Sequence, residues 1–468
     1  MRYISTRGSA PTLGFDEVLL AGLARDGGLY LPEAWPKLSE AEITALAGLS
    51  YGKVAERIVR PYMAGSLIEP RLSELIAETY RDFGHKAVAP LVQLDRNAWL
   101  LELFHGPTLA FKDYALQLVG RLFDALLKAK GTSVTVIGAT SGDTGSAAIE
   151  ACRDRERIEI FVLHPRGRVS EVQRRQMTTV DSANVHNIAI EGSFDDCQDL
   201  VKALFADETL RDELKLAAVN SINWARVMAQ IVYYFAAAVA LGAPGRGIVF
   251  SVPSGNFGNV FAGYAARRMG LSIEGLIVAS NRNDILTRFF AGGELAIGEV
   301  VPSYSPSMDI QISSNLERLL FDLYDRDGAV LAAAMKGFRR DGSLAVGRRF
   351  QHEVMGAFSG FSLDDPGTLA EIARIRRTTG ELVDPHSAIG VAALRAATFD
   401  PALPRVALAT AHPAKFPDAV EKATRVRPTL PAQLADLLER PERMIELPAD
   451  LAAVREEIRR RSSMKGAA

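Results

Sequence analysis

The stretch Ser133–Arg155, SVTVIGATSGDTGSAAIEACRDR, decides the fold class. SVTVIGA reads as a buried strand, and SGDTGSAAIEACRDR as a glycine-bearing turn that opens a helix. The same alternation continues downstream. IEIFVLHP (Ile158–Pro165) is a second strand, RVSEVQRRQM (Arg168–Met177) a second helix and VHNIAIEG (Val185–Gly192) a third strand. SFDDCQDLVKALFAD then restarts helix behind Ser193 as its cap. Short apolar strands alternating with amphipathic helices predict a parallel sheet with right-handed crossovers.

A second series follows a long apolar helix from about Ala225 to Leu241. GIVFSVP is a strand, GNFGNVFAGYAARRM its helix, IEGLIVAS the next strand and RVALATAH a late one. Two such series predict two parallel-sheet α/β domains with a cleft between them. A mainly helical N-terminal subdomain with Pro/Gly turns such as DGGLYLPEAWP precedes them. The expected division is residues 1–95 for that subdomain, 96–130 with 223–430 for a large α/β domain and 131–222 for a small one. Residues 431–468 form a C-terminal helical tail whose end, EEIRRRSSMKGAA, is expected to fray.

The totals narrow the function. At 468 residues the chain exceeds one compact core, since domains average about 150 residues. Lys+Arg at 54 nearly balance Asp+Glu at 56, a net charge of -2, so no basic field grips nucleic acid or an anionic membrane. The longest apolar run, IVYYFAAAVALGA, falls short of the ~20 residues of a membrane span. Two cysteines cannot build a disulfide framework, and with seven scattered histidines they give no metal-ligand spacing. MRYISTRGSA lacks the apolar segment of a signal peptide. The expected setting is cytoplasmic, and the expected partner a small molecule.

In open α/β sheets ligands sit where strand ends meet helix N-termini. Three places qualify. Pro253-Ser254-Gly255-Asn256-Phe257-Gly258-Asn259 lies between strand and helix and presents unpaired N–H groups to an anion, a phosphate above all. It matches neither a dinucleotide fingerprint nor a Walker loop. GATSGDTGSAA, with Thr140, Ser141, Gly142, Asp143 and Thr144, suits a substrate carboxylate, while Asp143 counts against a second phosphate. ALATAHPAKF ends a strand at Thr410, whose hydroxyl could meet a ring nitrogen. Each alone has a plain reading: a βα turn, a helix cap, a core threonine. Together with Lys112 behind the rigid turn of FHGPTLAFKDYALQ, they point to a phosphorylated aldehyde held as a Schiff base. That cofactor is pyridoxal 5′-phosphate. Phe104, Leu109 and Phe111 would desolvate the amine.

At YISTRG, DGGLYLPE, HGPTLAFKD, SGDTGSAA, SVPSGNFGN, DPHSAIG and TAHPAKF the chain resembles the threonine synthase family, of the tryptophan synthase β-like fold (fold type II). The resemblance runs nearly end to end. It implies that Lys112 carries the cofactor, that Gly255, Asn256, Phe257, Gly258 and Asn259 hold its phosphate, and that Thr410 faces the pyridine nitrogen. Ser141, Gly142, Asp143 and Thr144 inherit the substrate-carboxylate role. The implied reaction converts O-phospho-L-homoserine and water to L-threonine and phosphate, the last step of threonine biosynthesis, in a monomer or small homo-oligomer. Elimination at Cγ precedes addition of water at Cβ. For the departing phosphate the turn HPRGRVS offers Arg168, with Arg166 as competitor and two plain surface arginines as the alternative. The start near YISTRG resembles the bacterial and fungal branch, so no stimulation by S-adenosylmethionine is expected in a steady-state assay. A serine/threonine dehydratase or an O-phosphohomoserine phospholyase would share Lys112 and both loops; a noncatalytic binding protein would not need the lysine.

Overall fold

A computed structural model describes residues 1–217, 222–347 and 356–462. The last residues of the tail, 463–468, whose fraying the sequence predicts, lie outside the described residues. Strand β1 (Tyr3–Ser5) pairs antiparallel with β2 (Tyr30–Pro32), with helix Phe15–Ala21 between them in the chain. Helices Glu40–Thr44, Tyr51–Val59 and Leu72–Tyr80 follow, so this region is mainly helical.

The larger sheet has six strands. In chain order they are β3 (Leu91–Asp95), β4 (Ala98–Glu102), β9 (Ile248–Pro253), β10 (Ile273–Ser280), β13 (Phe358–Ser362) and β14 (Arg405–Ala409). Across the sheet the order is β13-β10-β9-β14-β4-β3, and every pair is parallel except the edge hairpin β3–β4. The smaller sheet is parallel throughout, β15-β7-β6-β5-β8. Its strands are β5 (Val134–Ala139), β6 (Ile158–Pro165), β7 (Val185–Glu191), β8 (Leu216–Ala217) and β15 (Ile445–Pro448). A short ribbon, β11 (Glu294–Ala296) with β12 (Ser343–Ala345), stands apart. The chain therefore carries two parallel-sheet α/β units, as the alternating pattern predicts. The C-terminal segment is not helix alone. It returns to the smaller sheet as β15 and lays helix Leu451–Arg461 beside helix Phe194–Ala206, with Val454 and Ile458 fully buried.

Both faces of each sheet are covered, so β6 and β9 are buried along their whole lengths. Helix Trp224–Ala240 runs through the middle of the main core and buries Trp224, Tyr233, Tyr234 and Phe235 completely. Among the described residues, no helix is long and apolar enough to cross a membrane.

Helices Lys112–Lys130 and Asp143–Cys152 connect the two units. They touch backbone to backbone at Gly120, where a Cβ would lie 2.3 Å from the Ala151 carbonyl oxygen. Gly120→Ala must therefore force the helices apart. We expect a loss of about 1–3 kcal/mol, the usual cost of overpacking. It should read as a lower urea midpoint with an unchanged m-value; an unaltered midpoint would show that this contact yields without cost.

Candidate active site

The lysine of HGPTLAFKD is placed by a loop that the large sheet holds at both ends. After β4, Leu103 N donates to Ala409 O at 2.9 Å, and Phe111 N donates to Thr410 O at 2.9 Å. His412 N returns a bond to Leu109 O at 3.0 Å. Leu109 sits at φ 60, a left-handed conformation costly for a leucine, which the flanking bonds impose. Asp113 locks the turn from inside. Its carboxylate accepts from Thr108 N at 2.8 Å and Thr108 Oγ1 at 2.7 Å. Lys112 then opens the helix, almost fully buried.

Its amine is 3.2 Å from Asp143 Oδ2 and 3.4 Å from Ser307 Oγ. Burial pushes the amine below the ordinary lysine range; Asp143 opposes this and Lys415 reinforces it. Asp143 behaves oppositely. Burial would raise its carboxyl, yet Lys112 and Lys415 together hold it well below the usual carboxylate range. The asymmetry follows from the count of partners: one carboxylate serves two ammonium groups. Lys415 Nζ lies 2.8 Å from Asp143 Oδ1, and Gln173 Nε2 donates to the same oxygen at 2.9 Å.

The glycine-rich loop after β9 reaches this cluster through Ser307. A Cβ on Gly255 would lie 2.7 Å from the Ser307 carbonyl oxygen, so only glycine lets the 306–308 turn approach. Phe257, at φ 61, donates its N–H to Ser254 Oγ at 3.2 Å and buries its ring against Phe290. The Asn256 side chain turns to Ser314 N at 2.8 Å and braces the loop. Gly258 starts helix Gly258–Arg268, whose first-turn N–H groups lack helical acceptors. Asn259 Oδ1 accepts from Tyr233 OH at 2.5 Å and Tyr234 OH at 3.0 Å, while its buried Nδ2 has no partner among the described residues. An orphaned donor at a helix N-terminus beside a buried amine fits a phosphorylated aldehyde. Pyridoxal phosphate would be held here by Lys112, Asn259 and the first turn of that helix.

Thr410 stands at the end of β14, its N–H donated to Ser387 Oγ at 3.1 Å. Asp384 caps the preceding helix, Pro385–Ala396, and holds both Ser387 and His386, with His386 Nδ1 2.6 Å from Asp384 Oδ2. His386 Nε2 is thereby assigned as acceptor for Ser307 N at 3.3 Å. One carboxylate thus orients both the Thr410 strand end and the Ser307 turn.

In the SGDTG loop, Thr140 Oγ1 is spent on Gly142 N at 3.0 Å and Gly145 N at 2.8 Å. Gly142, at φ 145, packs against Gln173, where a Cβ would lie 2.5 Å from the side-chain Cδ. Ser141 is exposed and Thr144 half-buried, whereas Asp143 turns inward to the two lysines. Of the two arginines in HPRGRVS, Arg166 is tied to Glu191 at 3.1 Å and Glu446 at 3.0 Å, and Arg168 lies exposed.

Sequence reasoning passed over Lys415, Ser307, Gln173 and Arg226. Lys415 stands inside the quoted TAHPAKF, where a second lysine was the available signal. Arg226 interrupts an otherwise apolar helix. It is almost fully buried, and its Nε and Nη1 have no partner among the described residues. Burial brings its guanidinium down to about 10, and its charge acts on Lys112.

Comparison with known proteins agrees with this geometry. The family described as "Threonine synthase N terminus" matches residues 2–80, "Pyridoxal-phosphate dependent enzyme" 83–410 and "Threonine synthase, C-terminal" 387–458. A threonine synthase of Pseudomonas aeruginosa is 57% identical over 97% of each chain. The solved structure of a PLP-bound threonine synthase from Brucella melitensis is 51% identical, with a TM-score of 0.97 over 99% of this chain and 100% of that one. The yeast threonine synthase structure gives 38% identity and a TM-score of 0.94 over 98% of both chains.

Asp113 generates a pH prediction. Burial pushes its carboxyl up to about 6, against the bonds from Thr108 and the charge of Lys415. The folded value exceeds the unfolded one of about 3.9. Its favourable contribution is therefore complete below about pH 4 and lost as pH rises through about 6. The unfolding free energy of wild type minus Asp113→Asn should fall by about 3 kcal/mol across that window and stay flat above it. Urea titrations at stepped pH measure it, and a difference independent of pH contradicts the assignment.

Proposed function

The chain belongs to the threonine synthase family of pyridoxal-phosphate-dependent enzymes, and we propose that it converts O-phospho-L-homoserine and water to L-threonine and phosphate. This is a carbon–oxygen lyase reaction on a phosphate ester. The observation that carries the reading is the buried Lys112 amine, lowered in basicity and held by Asp143 and Ser307 beside a phosphate-ready helix start.

When bound, pyridoxal phosphate supplies an aldehyde for an amine and a ring that takes up charge as substrate protons leave. Lys112 would anchor it, and its amine, when free, would be placed to accept the Cα proton and to move later ones. Desolvation lowers the basicity of this amine, the direction that a base requires. Ser141 and Thr144 offer hydroxyls to the substrate carboxylate, with Gly142 giving close backbone approach. Thr410 would offer the ring nitrogen a hydroxyl in place of a carboxylate, which would leave that nitrogen mostly unprotonated and favour elimination and replacement over transamination.

We place the substrate phosphate at Arg226, not at Arg168. A buried guanidinium with unpaired N–H groups is expensive to keep without an anion, and Arg226 acts on the Lys112 amine. Arg168 is solvated and pays no such cost. In this reading residues 96–130 and 223–430 bind the cofactor, 131–222 brings the carboxylate loop, and the protein works in the cytoplasm as a monomer or small homo-oligomer.

Incubation with O-phosphohomoserine should release phosphate and threonine in equal amounts. Ammonia and a keto acid in place of threonine would instead make the protein a phospholyase or dehydratase. Lys112→Ala should abolish turnover. Arg226→Gln should lower kcat/KM for the phosphorylated substrate by about 10- to 100-fold, the scale of a lost hydrogen bond to a charge. Arg168→Gln should stay near wild type; the reverse ranking moves the phosphate to the HPRGRVS turn.

A further inference from the structure

We propose that Lys415 is a second functional lysine, a positioning residue that keeps the Asp143 carboxylate ionised and aimed at the Lys112 amine while Lys112 itself gains and loses charge. The proposal rests on Lys112 being the cofactor lysine, but not on the identity of the substrate.

Among the described residues, Lys112 and Lys415 are the lysines withdrawn from solvent, and Lys415 is wholly so. A lysine is almost never buried unless paired. Lys415 Nζ has two partners, Asp143 Oδ1 at 2.8 Å and Thr108 O at 2.7 Å. The turn Pro413–Lys415 delivers it directly after β14, braced by Ala414 N on His412 Nδ1 at 3.1 Å and Lys415 N on His412 O at 3.0 Å.

A purely structural role would be a weak reason to bury this charge, because apolar replacements of buried ion pairs are often neutral or stabilising. What distinguishes Lys415 is whom it shares its carboxylate with. Asp143 gives Oδ2 to Lys112 and Oδ1 to Lys415. Whenever the Lys112 nitrogen is uncharged, a buried Asp143 without Lys415 would retain only Gln173 Nε2 at 2.9 Å and Ser307 Oγ at 3.4 Å. A buried carboxylate so placed takes up a proton or forces one onto its neighbour. The first outcome takes the ionised partner away from the Lys112 amine, and the second removes the free amine that the reaction needs. With Lys415 present the anion stays compensated, and the second cation also disfavours charge on Lys112 by repulsion.

The charged groups around this cluster are few. Arg226 faces it from helix Trp224–Ala240, and Asp113 lies one residue beyond Lys112 within the field of Lys415. His412 is also within reach of Lys415, but burial lowers its imidazole to about 4, so it is neutral near pH 7. Gln173, Ser307 and Thr108 are uncharged. None of these can substitute for Lys415 as the second partner of Asp143.

The test uses the holoenzyme. Lys415→Met removes one cation and leaves Asp143 wholly to Lys112, so the nitrogen of residue 112 should keep its proton to higher pH. The pH midpoint of the bound cofactor's visible absorbance, and the acid limb of the kcat profile, should both move up by about one unit or more, as for a unit charge a few ångström away at an effective dielectric of about 20. Turnover should fall with kcat while KM changes little. The double variant Asp143→Asn/Lys415→Met, which removes one charge of each sign, should return the absorbance midpoint toward wild type. Lys415→Arg, which retains the charge, should keep the wild-type midpoint and guards against a Met variant that does not fold. A Lys415→Met or Lys415→Gln protein whose absorbance titration and rate profile both overlay wild type overturns the proposal, as does an Arg variant displaced as far as Met. Because the absorbance titration needs no substrate, a normal shift without turnover of O-phosphohomoserine would sink the substrate reading alone.

Discussion

One carboxylate shared by two buried ammonium groups holds the site together. Asp143 comes from the smaller sheet's first helix, Lys112 from the start of the helix that follows β4, and Lys415 from the turn that follows β14. Taking three charges out of water is costly, and each oxygen of Asp143 must be used well for the arrangement to exist. Removing one partner of such a group typically costs about 3–5 kcal/mol, because the remainder is left as buried, uncompensated charge. The two units are therefore joined by an interaction that also acts on the basicity of the Lys112 amine.

The scaffold fixes this node through backbone as much as through side chains. Gly120 lets helices Lys112–Lys130 and Asp143–Cys152 approach to backbone contact. Gly255 lets the 306–308 turn press onto the glycine-rich loop after β9, and that turn brings Ser307 Oγ to Lys112. Asp384 then orients Ser387 toward Thr410 and His386 toward Ser307. Lys112, Ser307 and Thr410 are thus each held by a neighbouring side chain or turn. Such support converts a set of residues into a defined geometry.

Much of this was legible in sequence because parallel strands buried on both faces read as continuous apolar runs. β5, β6, β7, β9, β10 and β14 all stand where GIVFSVP, IEIFVLHP and their like placed them. The hairpin β3–β4 falls at the join between the N-terminal region and the large unit, and its half-buried edge positions dilute the apolar signal. β15 was hidden differently: IELP is four residues long and pairs with a strand some 250 residues earlier, so only topology reveals it. The site divides the same way. Lys112, the PSGNFGN loop and Thr410 carry local turn chemistry that marks them. Lys415 and Arg226 carry none, since their meaning comes from what the fold brings beside them. Asp143 stood in a loop read as facing substrate, but its direction was decided by two lysines that no local pattern couples to it.

The polar contacts across the base of the cleft converge on two acceptors, Asp143 and the Thr108 carbonyl. Lys112 and Lys415 bind the first, while Lys415 and Gln176 Nε2 bind the second, at 2.7 Å and 3.0 Å. Gln176 sits on helix Glu171–Thr178 together with Gln173, so that helix contributes to both acceptors. The same helix is clamped from behind by Glu442, which takes Arg174 at 2.9 Å and Thr178 Oγ1 at 2.7 Å on the way to β15. Leu109, beside Thr108, packs with Val172, Leu434 and Leu437 in a small separate apolar cluster. The returning C-terminal segment therefore touches both the lysine loop and the helix that faces it. Separating Asp143 from Lys112 requires breaking the Lys415 and Gln176 bonds and disturbing that cluster as well. The contacts of the Lys112 amine and those that dock the smaller unit thus share the residues Asp143 and Lys415.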